Sequence, residues 1–189
     1  MLFLAIAVFA TASAQEVSEH LTFKGIPIDG TLNNFVTKLT KKGFTHIGTT
    51  DGIAILLGDF ATYKKCSIGA MSSKDKDVVT SVCVQFPTCE TWSTLETNYL
   101  LLKQMLTTKY GEPSDCLETF QSDWQPKDDN EKMYMLRTDK CKYYTAFKTE
   151  KGSIVLLLTH QNVLECRVTL SYIDAINYKA ATSDAMDDL

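Results

Sequence analysis

The most reactive side chains in this chain are six cysteines, and their spacing restricts what they can do. Cys66, Cys83, Cys89, Cys116, Cys141 and Cys166 include no Cys-x-x-Cys pair. Zinc-ribbon ligand spacing and thioredoxin-like redox spacing are therefore both missing. A cysteine nucleophile would need His46 or His160 as its base, and none of the six lies in a nucleophile-type motif. Disulfides are the expected use of an even cysteine count in an exported chain. Cys116 opens one expected strand and Cys141 closes its neighbour, so Cys116–Cys141 is the first bridge expected. Cys66 and Cys83 flank a turn and can pair directly. Cys166 is a rival partner for Cys66, and Cys89 is a candidate to stay free.

Other chemistries are weaker. Ser73-Lys-Asp-Lys76 matches S-x-x-K, but penicillin-recognising enzymes place that motif at a helix start with companion motifs. Here it falls in a turn, and Ser122-Asp-Trp124 and Lys148-Thr-Glu150 are poor companions. His20, His46 and His160 are isolated, with no second ligand nearby in sequence. Asp128-Asp-Asn-Glu131 carries the oxygens for a calcium ion but lacks the EF-hand spacing and glycine, and reads as a solvated acidic loop. No phosphate-cradling glycine motif occurs. We expect no cofactor, no metal and no catalytic residue. The net charge of −4 and pI near 5.4 leave no surplus of Lys and Arg for phosphates, so a nucleic-acid partner is not expected.

The first residues form a short apolar run ending in Ala12-Ser13-Ala14, a small-x-small cleavage pattern. The run is too short for a bilayer span of about 20 residues, although the usual basic residues before it are absent. Residues 1–14 read as a signal peptide, the mature protein begins near Gln15, and the expected location is periplasmic or secreted.

The elements that must position these residues follow from periodicity. After an extended lead-in at 15–30, Thr31 is placed to cap a helix whose Leu32, Phe35, Val36 and Leu39 repeat at helical spacing. Gly43 ends it, with Phe44 folding back as the cap's apolar partner. Strand-like runs follow at 45–49, 53–59, 63–71 and 78–86, with turns at Asp51-Gly52 and 72–77. Thr88 is the expected cap of a longer helix with Trp92, Leu95, Tyr99, Leu102 and Leu106 on its apolar stripe, ended by Gly111 and Pro113. Further strands are expected at 116–120, 133–138, 142–148, 153–159 and 166–173, then an acidic helix or frayed tail at 175–189.

These elements form an α+β chain of two tandem helix-plus-meander units, at 31–87 and 88–174, with helices on one face of the sheet. Leu39-Thr-Lys-Lys-Gly43 is echoed by Leu106-Thr-Thr-Lys-Tyr-Gly111, and Tyr63-Lys-Lys-Cys66 by Thr138-Asp-Lys-Cys141. The leader, the tandem units, the Lys109-Tyr-Gly-Glu-Pro113 helix end and the Cys116/Cys141 pair resemble the β-lactamase-inhibitor-protein-like exported bacterial proteins. The opening at 25–44 and the Asp184-Ala-Met-Asp-Asp-Leu189 ending are similar to exported proteins of gut-type bacteria. The resemblance implies an uncovered sheet face that grips another protein, and it carries over no contact residue. From the residues themselves, the candidate contacts are Tyr134, Tyr143 and Tyr144 on expected strands and Trp124, Asp128 and Asp129 on a rim at 120–133. Trp124 is the foremost of these, because aromatic side chains dominate interface hot spots.

Overall fold

The computed structural model describes residues 19–73, 75–162 and 164–187. The leader expected at 1–14 lies outside them.

A small hairpin, β1 (Thr22–Phe23) and β2 (Ile26–Pro27), leads into α1 (Leu32–Lys41). Thr31 caps α1, its hydroxyl accepting from Asn34 N at 3.4 Å, and Leu32, Phe35, Val36 and Leu39 are buried. Beyond the helix, Gly43 takes φ +93°, and the Phe44 amide donates back to Leu39 O at 3.3 Å. That bond leaves Phe44 buried beneath Gly58, where an added Cβ would lie 2.3 Å from its ring. A meander follows: β3 (Thr45–Thr50), β4 (Ile53–Phe60), β5 (Tyr63–Ser72) and β6 (Val79–Gln85). Asp51 and Gly52 both have positive φ, as a tight hairpin turn requires.

The second helix, α2 (Trp92–Tyr110), starts later than expected. Its cap is Thr91, not Thr88, because the chain around Cys89 remains extended against the next sheet strand, with Cys89 N donating to Cys166 O at 2.8 Å. β7 (Asp115–Phe120) follows. The strand expected at 133–138 is instead the end of a helix, α3 (Asp129–Arg137). Asp128 accepts from Glu131 N at 2.9 Å while Glu131 accepts from Lys127 N at 2.6 Å, a reciprocal cap that commits the segment to helix. Met133, Met135 and Leu136 then bury into the core. The chain finishes with β8 (Cys141–Thr149), β9 (Gly152–His160), β10 (Cys166–Asp174) and α4 (Ala175–Asp187).

Eight strands form one antiparallel sheet in the order β3-β4-β5-β6-β10-β9-β8-β7. The register aligns Leu56, Ile68, Val84, Leu170, Leu156, Thr145 and Cys116 in one row across seven strands. The apolar members of that row are buried, and α1, α2 and α3 pack onto this inner face through Phe35, Trp92, Leu95, Tyr99 and Met133 in a continuous core. Tyr99 reaches the sheet directly, its hydroxyl 2.6 Å from the buried Thr145 hydroxyl. Asp174 ends β10 fully buried and accepts from His20 Nδ1, Leu21 N, Ile176 N and Asn177 N at 2.8–3.1 Å. It thereby ties the N-terminal segment to the start of α4.

No cysteine is joined to another in this structure, and the register corrects each expected pairing. Cys116 faces Thr145 while Cys141 faces Phe120. Four residues of strand separate them, about 13 Å, well beyond disulfide reach. Cys66 is buried on the inner face, whereas Cys83 faces Gly69 in the row that points the other way. Cys66 and Cys166 lie on β5 and β10 with β6 between, about 10 Å apart laterally. The echo of Cys66 in Cys141 likewise joins unlike positions, since β5 and β8 do not occupy matching places in the sheet order.

Candidate binding face

Residues pointing away from α1, α2 and α3 build the other face of the sheet. Thr45, Leu57, Ser67, Gln85, Thr169, Leu157, Tyr144 and Leu117 form one row across all eight strands. The next row runs Gly48, Ile55, Gly69, Cys83, Ser171, Val155, Ala146 and Asp115. A third runs Thr50, Ile53, Met71, Ser81, Ile173, Ser153 and Lys148. At the usual strand spacing the full rows are about 34 Å long, and the three together cover roughly 700 Å².

The chemistry of this face changes from edge to edge. At the β3–β4 edge Ile47, Ile53, Ile55 and Leu57 are exposed, between 39% and 59%. With Gly48, Thr50 and Asp51 most of them line a shallow depression of about 440 Å³. At the β7–β9 edge Leu117 is exposed and Tyr144, Val155 and Leu157 are half-buried. Tyr144 is held in place by donating to Asp115 Oδ2 at 2.8 Å, which raises the tyrosine's pKa. Between the apolar edges lies a polar band on β5, β6 and β10 that reaches Thr159 of β9. Arg167 donates to Gln85 Oε1 at 3.2 Å and to Glu165 Oε2 at 2.9 Å, and the Thr159 and Thr169 hydroxyls meet at 2.7 Å. Burial pushes the Cys83 thiol up, partly offset by Ser171.

The expected contact residues separate in the structure. Tyr144 belongs to the outer row. Tyr143 points inward, packed edge-on against Trp92 and Tyr99, and burial pushes its hydroxyl up to about 12. Tyr134 is exposed on α3, and Trp124 is 46% exposed in the connection before α3. Because α3 packs on the helix side, these two do not share a surface row with Tyr144. Asp128 is the α3 cap. Asp129 accepts from Ser93 N at 3.0 Å and from Ser93 Oγ at 2.8 Å, and those bonds lower its pKa. Both acids thus hold α3, and the bond to Ser93 fastens it to the start of α2.

Sequence reasoning missed Ile47, Ile53, Ile55, Leu57, Leu117 and Leu157. The signal was present: Ile53-Ala-Ile-Leu-Leu57 is apolar at consecutive positions, so a strand there shows apolar side chains on both faces.

One polar cluster lies at the β7 edge on the helix side. Lys103 Nζ is 2.6 Å from Glu118 Oε1 and 3.2 Å from Cys116 Sγ, and Cys116 Sγ is 3.5 Å from Thr145 Oγ1. Burial raises the Glu118 carboxyl and Lys103 more than offsets it, so Glu118 titrates below its ordinary value. Ser73, from the S-x-x-K match, only closes its turn, with its amide donating to Val78 O at 2.9 Å. His46 bonds Thr49 and His160 bonds Asp139. Among the described residues no group of three His, Cys, Asp or Glu is placed to hold a metal ion, and no helix is long and apolar enough to cross a membrane. Comparison with protein-family models, curated proteins and solved structures finds no match to this chain.

Proposed function

We propose that this chain is an exported, non-enzymatic binding module whose outer sheet face grips a protein partner. The observation that carries the reading is the patterning of that face, with apolar side chains at both edges and a hydrogen-bonding band between them. Its area of roughly 700 Å² is close to the ~800 Å² that one partner contributes to a standard interface. Exposed apolar patches of several hundred Å² on a folded domain mark interaction sites. A rigid sheet also presents its side chains with little ordering cost on binding. The sheet order, mirrored about the β6–β10 pair, supports two tandem helix-plus-meander units, in keeping with the resemblance to the inhibitor-like exported group.

The test is a cross-linking capture from cell envelope and medium, with the mature chain as bait. Ile55→Asp and Leu57→Lys leave the inner core untouched and place charge at one apolar edge. Tyr144→Ala truncates the other. One dominant captured protein, lost with these variants and retained with Tyr134→Ala, establishes the reading. Capture unaffected by all three outer-face variants refutes it.

A second reading, a thiol-dependent enzyme, rests on Cys116, an exposed cysteine with an ammonium 3.2 Å from its sulfur. A neighbouring cation is the usual means of activating a thiol. If Cys116 alkylates no faster than free cysteine at neutral pH, this reading fails.

A further inference from the structure

The crossover from β6 to α2 brings two cysteines into direct register. Cys89 forms an isolated antiparallel bridge with Cys166, the first residue of β10. Its amide donates to Cys166 O at 2.8 Å. Residues directly opposed in such a bridge have Cα atoms about 4.5–5.5 Å apart and side chains on the same face, inside the 4.4–6.8 Å window of disulfides. Both side chains are buried, at 6% and 0% exposed. Cys89 Sγ now donates to Pro87 O at a weak 3.8 Å and accepts from Asn98 Nδ2 at 3.4 Å. Turning it toward Cys166 forfeits little hydrogen bonding. The other pairs reasoned from the sequence fail on register, on the face they occupy or on an intervening strand.

We propose that Cys89 and Cys166 form the disulfide of this protein, stapling the crossover segment onto β10. Each thiol gives up one proton and one electron, and the Sγ–Sγ bond forms between them. The acceptor is a disulfide, either a small-molecule one or that of an exchange protein. Its S–S bond breaks through a mixed-disulfide intermediate, leaving two thiols. Because both cysteines are buried in the finished fold, the exchange belongs to folding, before α2 closes over β10. The bond would close the loop running from α2 through β9, which constrains the unfolded chain most when the loop is long. It would also hold in place the extended residues that delay the start of α2 to Trp92. Cys116, exposed at the β7 edge, and Cys66, Cys83 and Cys141, none of them in register with another cysteine, remain reduced.

The test is to refold the full chain in a mixture of reduced and oxidised glutathione, alkylate it in denaturant, digest it with trypsin and map the cross-links by mass spectrometry. The expected product is lighter by two hydrogens. It links the Cys166 peptide to the tryptic peptide carrying both Cys83 and Cys89, and fragment ions place the bond on Cys89. Cys66, Cys83, Cys116 and Cys141 are alkylated. A bond at Cys83, a bridge between any other pair, or six alkylated cysteines overturns the proposal. A second measurement compares melting of the oxidised and reduced wild-type chains. The oxidised form should melt higher, and Cys89→Ala should abolish that difference while keeping the reduced chain's melting temperature. Equal melting of the two wild-type forms overturns the stapling role.

Discussion

Replacing Asp174 tests the junction that closes the fold. Its two carboxyl oxygens accept from His20 Nδ1, Leu21 N, Ile176 N and Asn177 N, and the side chain is fully buried. Asp174→Ala removes all four contacts and strips α4 of its cap. Loss of a cap costs about 1–2 kcal/mol, and a buried amide deprived of a charged acceptor costs about 1.5–3 kcal/mol. The expected destabilisation is therefore about 3–5 kcal/mol, a large share of the 5–15 kcal/mol typical of a domain. Asp174→Asn is the sharper variant. It keeps one oxygen, which can serve either the α4 amides or Leu21, and turns an NH₂ donor toward the other donors. About 2 kcal/mol should be lost, with the fold retained. Urea unfolding at neutral pH, followed by Trp92 fluorescence, measures both variants. If Asp174→Asn unfolds within about 0.5 kcal/mol of wild type, the four-donor account of this junction is wrong.

Three other outcomes are expected. Tyr99→Phe should cost about 1–2 kcal/mol by leaving the buried Thr145 hydroxyl poorly satisfied; a cycle with Thr145→Val should show a coupling near 1 kcal/mol, and zero coupling would deny the bond between α2 and β8 any energetic role. Gly152→Ala should destabilise by at least ~3 kcal/mol or prevent folding, because φ is +150° and the new Cβ would sit 2.1 Å from Ile173 O; soluble expression and thermal melting decide it. For alkaline pH, burial pushes the Cys141 thiol up to about 12, while an unfolded cysteine titrates near 8.5. With Cys141 reduced, the unfolded chain releases the proton first, so the contribution is intact below about pH 8.5 and is lost progressively as pH rises toward 12, with a limiting slope of about 1.4 kcal/mol per pH unit between the two values. Urea midpoints between pH 7 and 10.5 should fall accordingly, and Cys141→Ala should flatten part of that slope; an unchanged slope would contradict the burial argument.

Local chemistry made much of the fold legible. Thr31, the Leu32–Leu39 stripe and the Gly43–Phe44 stop define α1 within a single stretch of chain, because capping and periodicity are satisfied by neighbours in sequence. The same holds for the strands of the first meander, the turn at Asp51-Gly52, and the burial of Trp92 and Tyr99. Met133–Leu136 was misread because its spacing suits a short strand as well as a helix turn, and the Asp128–Glu131 cap decided between them. Tyr143 and Tyr144 show the limit from the other side: alternation places them on opposite faces, but only packing against Trp92 and Tyr99 says which face is inside. The cysteines depended most on what lies far away in the chain. Cys89 and Cys166 are distant in sequence and meet because β10 lies beside β6, with the Cys89 segment running on along it. Cys116 and Cys141 sit on paired strands yet four positions out of register. Strand pairing between remote segments is set by the burial of the whole inner face at once, and a one-residue slip would turn every side chain to the wrong side. That requirement can be met only by the assembled sheet, so the cysteine juxtapositions, the start of α2 and the composition of the outer face belong to the tertiary structure, while α1, its cap and stop and the Asp51-Gly52 turn were already written in neighbouring residues.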